Sequence, residues 1–292
     1  MIKNIKRTVF KIPRNKKAQN FSFEENKISF EFQILEKYID EDNIHNQYLC
    51  KGSSKLDRYC NVKPYQYNRL IINNKNKYIN ASPINIYKEK YFIATQGPKN
   101  ETIEDFWTMI DEYNCNVIVM LCNLKENGTE KCAKYWSESY TMNNYKIKAE
   151  KRFEQKRNLI RQFKLINISK KTERIIYHIQ FIDWPDHDVP DCEEGKVFEI
   201  FLNMIENVDN LKGDGPVVVH CSAGVGRTGT FISMYYLYKE IKKQIDENKK
   251  EIQFSIFNFV RKLKEMRILS VQTIFQYHFI HQFVYYLLLN YN

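Results

Sequence analysis

The sequence predicts an α/β fold in which strands and helices are arranged around a mostly central sheet. Two observations along the 292 residues predict this class. Short runs rich in β-branched and aromatic residues are typical of strands, while longer segments with apolar residues at helical spacing are typical of helices. The two kinds of segment are interspersed, and neither a repeat nor a Gly/Ser-rich linker divides the chain. We therefore expect one folded domain.

The predicted elements follow in order along the chain. The first is a helix over 28–39, whose apolar residues at helical spacing are expected to dock on the main body: Ile28, Phe32, Leu35 and Ile39. The predicted strands are 77–81, 91–95, 117–121, 163–168, 174–181 and 217–219. The other predicted helices are 103–113, 193–207, 229–244, 255–266 and 273–289.

Residues 1–20 are predicted to form a basic N-terminal extension, and residues 21–292 the folded domain. Seven of the first 17 residues are basic, namely Lys3, Lys6, Arg7, Lys11, Arg14, Lys16 and Lys17. Such an arm is typical of a solvated chain end. Weak association with a membrane, or binding to a partner, is the alternative.

Composition favours a folded protein with acidic partners. Hydrophobic residues make up 43% of the chain, and Lys+Arg minus Asp+Glu is 45 − 35 = +10. This balance by itself leaves phosphorylated protein, nucleic acid and anionic membrane open. Apolar runs such as 117–122 are far shorter than the roughly 20 residues that cross a bilayer, and the N-terminus lacks the apolar stretch of a signal peptide. We therefore expect a cytoplasmic protein without a transmembrane segment.

The seven cysteines are odd in number and contain no CxxC pair. This pattern disfavours a zinc ribbon and a fully paired disulfide framework. Most of the cysteines are therefore interpreted as small core residues in a reducing compartment. Cys221 is the exception, because of the segment in which it lies.

Residues 217–231 contain the predicted site. A buried strand runs into a loop with Gly224, Gly226 and Gly229 and out into a helix. Glycines at such a turn let successive backbone N–H groups point inward, and the helix N-terminus adds a positive dipole end. The segment is therefore predicted to bind an anion.

Cys221 stands at the start of this loop. The N–H groups and the helix dipole are expected to stabilise its thiolate, which makes it a competent nucleophile. Six positions on, Arg227 is expected to grip two phosphate oxygens through its planar guanidinium. A bare Cys-x5-Arg is a weak signal, whereas the pattern HC-x-AG-x-GR-[ST]-G fixes about eight positions.

That pattern closely resembles the signature of the protein tyrosine phosphatases, and the resemblance runs from about Phe21 to the C-terminus. Further motifs stand in the family's order: DRYCNV at 57–62, YINAS at 78–82, TQGP at 95–98, KCAKYW at 131–136, WPD at 184–186 and VQT at 271–273. The resemblance implies a twisted mixed β-sheet flanked by helices, with the Cys221 loop at its centre. In composition the chain also resembles the phosphatases encoded by bracoviruses of parasitoid wasps.

The resemblance further implies that residues 21–292 are the catalytic domain of a protein-tyrosine-phosphatase that acts on phosphotyrosine in proteins. Cys221 would form a cysteinyl-phosphate, and Arg227 would hold the phosphate oxygens. Asp186 would act as general acid and then as general base, on a mobile loop hinged near Trp184 and Pro190. No metal or cofactor enters this chemistry, and the implied partners are phosphotyrosine-containing proteins, not nucleic acid.

Other roles transfer by position within the same resemblance. Gln272 matches the glutamine that orients the second-step water, and Gln276 lies one helical turn on. Thr228 matches the hydroxyl that stabilises the leaving thiolate, and His220 the histidine that braces the loop. Residues implied to contact substrate are Tyr59, Asn61, Ser222, Ala223, Gly224, Val225, Gly226, Gln276 and Trp184.

Two supporting residues and the pocket wall complete the implied site. Glu126 and Lys131 align with residues that pair with the arginine and approach the acid loop. Tyr59 aligns with the tyrosine that stacks on the substrate ring and sets a pocket depth that phosphoserine cannot span. Its presence favours phosphotyrosine specificity over dual specificity.

Three positions depart from the family pattern. Asn61 stands where many relatives carry an aspartate that holds the substrate backbone, so a weaker grip on peptide is expected. Asp188 occupies a position that is usually glycine, and a change in loop closure is expected there. Leu269 takes a gateway position that is glycine in relatives able to admit a second phosphotyrosine, so exclusion of tandem-phosphorylated substrates is expected.

Two other classes of function stay open at this point. The first is a phosphotyrosine-binding pseudophosphatase, which loss of Cys221, Arg227 or Asp186 would indicate, although all three are present. The second is a sulfur-transfer enzyme with a rhodanese-like cysteine loop, which Tyr59 and the WPD segment disfavour.

Overall fold

A mixed β-sheet organises the chain in a computed structural model that describes residues 9–13, 24–40, 48–52, 55–72, 77–87, 90–137, 139–155, 157–185, 188–192 and 195–291. The strands within those residues are β1 (Phe10–Pro13), β2 (Ala81–Tyr87), β3 (Lys90–Thr95), β4 (Val117–Met120), β5 (Lys125–Glu126), β6 (Thr129–Glu130), β7 (Ser139–Thr141), β8 (Tyr145–Gln155), β9 (Asn158–Asn167), β10 (Thr172–Phe181), β11 (Val217–His220) and β12 (Glu251–Phe254). The α-helices are α1 (Glu25–Asp40), α2 (Ile103–Glu112), α3 (Lys196–Leu211), α4 (Gly226–Asp246), α5 (Ile256–Met266) and α6 (Ile274–Tyr291). Short 3-10 helices lie at Gln66–Asn68 and Asn100–Thr102.

The central sheet has eight strands in the order β2-β3-β11-β4-β10-β9-β8-β7. Strands β3, β11, β4 and β10 run parallel to one another, while the outer pairs are antiparallel. Every residue of β4 and β11 is buried, as is typical of parallel strands covered on both faces. The predicted α/β class and the mixed sheet flanked by helices are confirmed.

Helix α4 follows β11 and packs against α5 and α6. Helix α1 docks on the same group: the Phe32 ring lies 5.7 Å from that of Tyr277, whose hydroxyl donates to Glu31 Oε2 at 2.8 Å. Docking of the predicted helix over 28–39 is thereby confirmed. All predicted helices are present, with ends that differ from the prediction by up to four residues. None of the helices in the described ranges is long and apolar enough to span a membrane.

The strand predicted over 77–81 is wrong in its bounds, because β2 runs from Ala81 to Tyr87. Side-chain bonds hold the preceding residues out of the sheet: the Tyr78 hydroxyl and the Asn80 amide both donate to Asp57 Oδ1, at 2.5 and 2.9 Å. Pro83 is tolerated within β2 because β2 is the edge strand of the sheet.

The sequence reading missed β8, the longest strand of the central sheet. Tyr145 and Ile147 are buried and Lys148 is exposed, which is the alternation of a half-covered strand. An irregularity between Ala149 and Lys151 then shifts the register against β9. Since the shift breaks the alternation and most later residues are charged, no apolar pattern marked this strand.

Part of the predicted N-terminal extension is attached to the body. Strand β1 pairs antiparallel with β12, and the Phe10 ring stacks on Phe254 with centroids 5.1 Å apart. Residues 1–8 and 14–20 of the extension lie outside the described residues. The boundary between residues 20 and 21 therefore stays a prediction.

We expect Phe10→Ala to lower the free energy of unfolding by about 1–3 kcal/mol, because it removes a stacked, half-buried ring. Phe153→Ala is the matched control, since Phe153 is 54% exposed on β8 and its loss should change stability by less than about 0.5 kcal/mol. Urea unfolding of both variants measures the difference. Equal effects would show that β1 does not belong to the cooperative fold.

Candidate active site

The loop at residues 221–226, called the nucleophile loop below, turns its carbonyl groups outward. Each carbonyl from 221 to 225 accepts a hydrogen bond from the surrounding protein: His220 Nδ1 to Cys221 O at 3.0 Å, Gly97 N to Ser222 O at 2.8 Å, Arg267 Nη2 to Ala223 O at 3.1 Å, Arg267 Nε to Gly224 O at 2.9 Å and Gly229 N to Val225 O at 2.8 Å. Across a trans peptide the next N–H points the opposite way. The N–H groups of residues 222–226 therefore face inward, which is the arrangement that binds anions.

Cys221 lies inside this ring of N–H groups. Its side chain is buried, and the Gly224 N–H donates to its Sγ at 3.3 Å. Helix α4 begins at Gly226, so its positive dipole end also faces the sulfur side of the loop. The Thr228 hydroxyl, in the first turn of α4, is buried without a hydrogen-bond partner among the described residues.

Two glycines allow the backbone of the nucleophile loop to approach the backbone at the end of β3 closely. Gly224 has φ +72°, and a Cβ atom there would lie 2.0 Å from Thr95 O. A Cβ atom at Gly97 would lie 2.7 Å from Cys221 O. Neither position has room for a side chain, so β3 and the nucleophile loop touch through backbone alone.

Glu126 holds Arg227 in a bidentate ion pair. Its Nη1 and Nη2 donate to Oε1 and Oε2 at 2.6 and 2.7 Å, and Nη1 also donates to Leu121 O at 3.2 Å. Burial by itself lowers the pKa of the guanidinium, but the hydrogen bonds and charge of Glu126, together with Cys221, leave the pKa raised. Arg227 is therefore a fixed positive charge beside the loop.

A pocket of about 140 Å³ opens over the nucleophile loop. Its lining is Tyr59, Asn61, Val62, Cys221, Ser222, Ala223, Gly226, Arg227, Gln272 and Gln276. The structure thus brings together three distant segments, 59–62, 221–227 and 272–276, whose lining residues other than Val62 the sequence analysis had assigned to one site. Gly224 and Val225 lie in the same loop without lining the pocket.

Tyr59 forms one wall of the pocket and is tethered to its floor. Its hydroxyl lies 3.0 Å from Ser222 Oγ, which in turn donates to Lys131 O at 2.9 Å. Because the single Ser222 proton is used on Lys131, Tyr59 is the donor to Ser222. Lys131 is itself buried and contributes this backbone carbonyl to the site.

Gln272 and Gln276 also line the pocket and follow a strained turn. The Gln272 backbone N–H donates to Gln276 Oε1 at 2.9 Å, and a Cβ atom at Gly226 would lie 2.9 Å from the Gln276 amide nitrogen. Leu269 and Val271 have φ of +58° and +57°, where side chains are disfavoured. This turn places both amides at the mouth of the nucleophile loop.

The WPD segment is only partly described. Asp186 lies outside the described residues, so its assignment as the acid stays a prediction. Trp184 is buried, with its indole Nε1 donating to Asp188 O at 3.0 Å and its carbonyl 3.4 Å from Arg227 Nη1. Trp184 does not line the pocket and reaches it only through Arg227. Asp188 is exposed and accepts the Val189 N–H at 2.8 Å.

His220 is fully buried below the loop. Burial lowers its pKa to about 4, although its bond to the Cys221 carbonyl acts in the opposite direction. The imidazole is therefore neutral at neutral pH. A neutral imidazole carries one ring proton. The position of that proton decides whether His220 Nδ1 donates a hydrogen bond to the Cys221 carbonyl.

The sequence analysis missed residues that hold the loop from outside. Arg267 is fully buried, spans the Ala223 and Gly224 carbonyls, and also donates to Asn80 Oδ1 at 2.8 Å; burial lowers its pKa to about 10. Arg58 similarly donates to Gly97 O and Pro98 O at 3.0 and 2.7 Å. Asn80, Gly97 and Arg58 lie in the motifs quoted above, so the sequence offered a signal that could have identified them. Arg267 lies in none of these motifs, and no sequence signal marked it.

The described cysteines are all free. Cys50, Cys115, Cys122 and Cys132 are buried like Cys221, Cys192 is half-buried and Cys60 is exposed. Burial raises the pKa of Cys115 to about 12 and that of Cys192 to about 11. Most of the cysteines are thus small buried residues, as predicted, and Cys60 is an exception.

Comparison with known proteins gives one consistent result. The family model described as protein-tyrosine phosphatase matches residues 53–286. Tyrosine-protein phosphatase non-receptor type 20 of Rattus norvegicus is 36% identical over 268 residues, covering 89% of this chain and 61% of the relative. Human receptor-type tyrosine-protein phosphatase C is 38% identical over 241 residues, covering 77% of this chain and 17% of the relative.

Solved structures agree with these relatives. The catalytic domain of human protein tyrosine phosphatase non-receptor type 18 superposes with a TM-score of 0.79 at 28% identity, covering 90% of this chain and 96% of that one. The same phosphatase in complex with a HER2 phosphopeptide gives a TM-score of 0.78 at 29% identity, covering 89% of this chain and 92% of that one. This chain spans less than two thirds of the length of the non-receptor type 20 relatives it matches. The family model, the relatives and the fold together show that the chain belongs to the protein-tyrosine phosphatase family.

Proposed function

We propose that the chain hydrolyses phosphotyrosine in proteins through a cysteinyl-phosphate intermediate. The observation that carries this proposal is the nucleophile loop, in which inward N–H groups and Arg227 surround the Cys221 sulfur. A phosphoryl group bound there would have its oxygens held by fixed donors and its phosphorus next to a nucleophile. Catalysis of phosphoryl transfer is mainly this positioning and charge stabilisation.

In the first step the Cys221 thiolate attacks phosphorus. The S–P bond forms while the P–O bond to the tyrosine phenol breaks, and Asp186 gives its proton to the departing oxygen. Loop N–H groups and Arg227 bind the three equatorial oxygens throughout. Because Glu126 fixes the two terminal nitrogens of the Arg227 guanidinium, Nη1 and Nη2, the arginine meets the transition state without reorganising.

In the second step water hydrolyses the intermediate. The Asp186 carboxylate takes a proton from the water, whose oxygen attacks phosphorus as the S–P bond breaks and phosphate leaves. Gln272 and Gln276, at the mouth of the loop, are suited to orient this water. The Gly224 N–H is suited to stabilise the returning thiolate, and so is the Thr228 hydroxyl, which has no hydrogen-bond partner within the described ranges.

Selectivity for tyrosine is proposed to come from Tyr59. Its ring forms the pocket wall, and its bond to Ser222 fixes the wall relative to the bottom of the pocket. A phosphoserine would then place its phosphate too far from Cys221. Asn61, exposed at the rim, offers an uncharged acceptor to the substrate backbone, so affinity for peptide should be modest.

Phosphotyrosine-containing proteins are the proposed partners, and the HER2 phosphopeptide complexes of the non-receptor type 18 structure support this class. The cytoplasm is the proposed location. A pseudophosphatase that binds phosphotyrosine without cleaving it is the competing function, and the experiments below separate the two.

The wild-type protein should hydrolyse an aryl phosphate and a phosphotyrosine peptide with EDTA present. Cys221→Ser should reduce kcat by about 10⁴–10⁶-fold, because the hydroxyl is a far weaker nucleophile, while circular dichroism shows the fold unchanged. Steady-state kinetics of both proteins measures this. Appreciable activity in the serine variant would remove Cys221 from the mechanism, and an inactive wild type that still binds the peptide would favour the pseudophosphatase.

Asp186→Ala should lower kcat by about 10²–10⁴-fold and leave phosphopeptide binding intact, since it removes the proton donor and none of the phosphate ligands. Asp188→Ala is the matched control on the same segment and should act much more weakly, because the Asp188 carboxylate is occupied by the Val189 N–H. Turnover and vanadate-sensitive retention of phosphotyrosine protein are measured. A large loss in Asp188→Ala alone would transfer the acid role to that residue.

Phosphotyrosine peptides should be cleaved far faster than phosphoserine peptides of the same sequence. Tyr59→Ala should reduce kcat/KM for the tyrosine peptide by about 2- to 13-fold, the equivalent of a stacking contact of 0.5–1.5 kcal/mol. Tyr59→Phe keeps the ring and loses only the Ser222 bond, so it should stay closer to wild type. If the wild-type protein cleaved both peptides at equal rates, the proposed role of pocket depth in selectivity would be contradicted.

A further inference from the structure

A chain of hydrogen-bonded polar groups runs under the nucleophile loop, from the half-buried Arg161 on β9 through the buried His178, Tyr135 and His220 to the Cys221 carbonyl. The links are Arg161 Nη1 to His178 Nδ1 at 3.1 Å, His178 Nε2 to Tyr135 Oη at 2.8 Å, Tyr135 Oη to His220 Nε2 at 2.8 Å and His220 Nδ1 to Cys221 O at 3.0 Å. Since β10 and β4 separate β9 from β11, Arg161 lies three strand spacings, roughly 14 Å, from the β11 backbone.

The two ends fix the direction of every bond in this chain. A guanidinium can only donate, so His178 Nδ1 must accept from Arg161. A carbonyl can only accept, so His220 Nδ1 must carry a proton and donate to Cys221 O. The one assignment that satisfies both ends puts the His178 proton on Nε2, turns the Tyr135 hydroxyl toward His220, and leaves His220 Nε2 unprotonated.

Each linking group is in the state that this assignment requires. Burial lowers the pKa of His178 well below its usual value, and Arg161 and His220 add to the shift. Burial likewise raises the pKa of Tyr135 well above its usual value, so the phenol keeps its proton. The Met120 sulfur, 3.9 Å from the hydroxyl, is too weak an acceptor to compete with His220.

The reversed chain fails at the site. If His178 carried its proton on Nδ1, Tyr135 would donate to His178, and His220 would have to donate from Nε2 to Tyr135. His220 Nδ1 would then face the Cys221 carbonyl as a second acceptor at 3.0 Å. That contact would be repulsive unless His220 took up an additional proton, which its buried position opposes.

We propose that Arg161 is a positioning residue for the nucleophile: by donating to His178 it selects the tautomers of His178 and His220 that hold the Cys221 carbonyl outward. The inference rests on the proposed function for its effect on turnover, and on the hydrogen-bond geometry alone for the tautomers. When the carbonyl is held outward, the Ser222 N–H on the same peptide stays turned into the phosphate site.

Arg161 is itself fixed for this task. Its Nη1 also donates to Gln180 Oε1 at 2.9 Å, and its guanidinium carbon lies 4.8 Å from the centre of the Trp136 ring. The planar guanidinium thus presents one N–H to His178 while stacking on an aromatic face. A lysine could supply the donor but not the stacking.

The experiment compares three variants of the full chain. Arg161→Met removes the donor and keeps the length of the side chain, and Arg161→Lys restores a donor. Arg174→Met is the matched control, because Arg174 is a half-buried arginine of the neighbouring strand that donates to Cys115 O at 2.8 Å and, in the part of the chain that the structure describes, is not hydrogen-bonded to His178 or His220. Three readouts are taken: imidazole ¹⁵N spectra for the tautomers, the rate of Cys221 alkylation by iodoacetate, and kcat/KM for a phosphotyrosine peptide.

Wild type should show His178 protonated on Nε2 and His220 on Nδ1. Arg161→Met should disturb both tautomers and slow alkylation and kcat/KM by about 2- to 30-fold, the range for mutations along a coupled network, and Arg161→Lys should recover part of each. Arg174→Met should lose stability yet keep wild-type tautomers and alkylation. If Arg161→Met keeps both tautomers, or only loses stability as Arg174→Met does, the proposal is overturned.

The readouts also separate this inference from the proposed function. Tautomers and alkylation need no phosphatase activity. A wild type that does not cleave phosphotyrosine, but whose tautomers and alkylation respond to Arg161→Met as expected, would overturn the proposed function and support the positioning role.

Discussion

The site depends on one constraint: the carbonyls of the nucleophile loop must be satisfied from outside, so that its N–H groups are free on the inside. The donors come from His220, Gly97, Arg267 and Gly229, on four separate segments. If any of them were lost, the corresponding peptide could rotate and turn a carbonyl toward the anion. Most of the polar burial around Cys221 serves this single requirement.

The parallel centre of the sheet makes that convergence feasible. Strands β3, β11 and β4 end side by side, with Thr95 opposite His220 and His220 opposite Met120. The segments that follow these strands therefore meet at one edge, which is where ligands bind in parallel sheets. The residues that follow these strands supply the nucleophile loop, the Gly97 N–H that donates to Ser222 O, and the Leu121 carbonyl that accepts from Arg227.

The same region holds features that cost stability. Leu269 and Val271 adopt left-handed backbone conformations, the Thr228 hydroxyl is buried without a partner among the described residues, and Arg267 is a fully buried cation. Strain and unsatisfied groups persist in a fold only where surrounding packing holds them. Here they lie within the groups that contact or support Cys221, which fits a site arranged for a bound anion and a transition state.

The sequence by itself determined the fold class and most helices, because periodic apolar patterns are local signals. The segment around Cys221 indicated an anion site by its own chemistry, whereas Tyr59, Asn61, Gln272 and Gln276 were assigned to the pocket through the resemblance to the phosphatase family. It failed at β8, where a register shift breaks the alternation, and at Arg267, which lies in no quoted motif. Only the tertiary structure decided which groups hold the loop carbonyls and in which direction the bonds from Arg161 to Cys221 run. Those contacts join residues up to 125 positions apart, as in the bond from Gly97 N to Ser222 O, and no local pattern encodes a hydrogen bond between such distant segments.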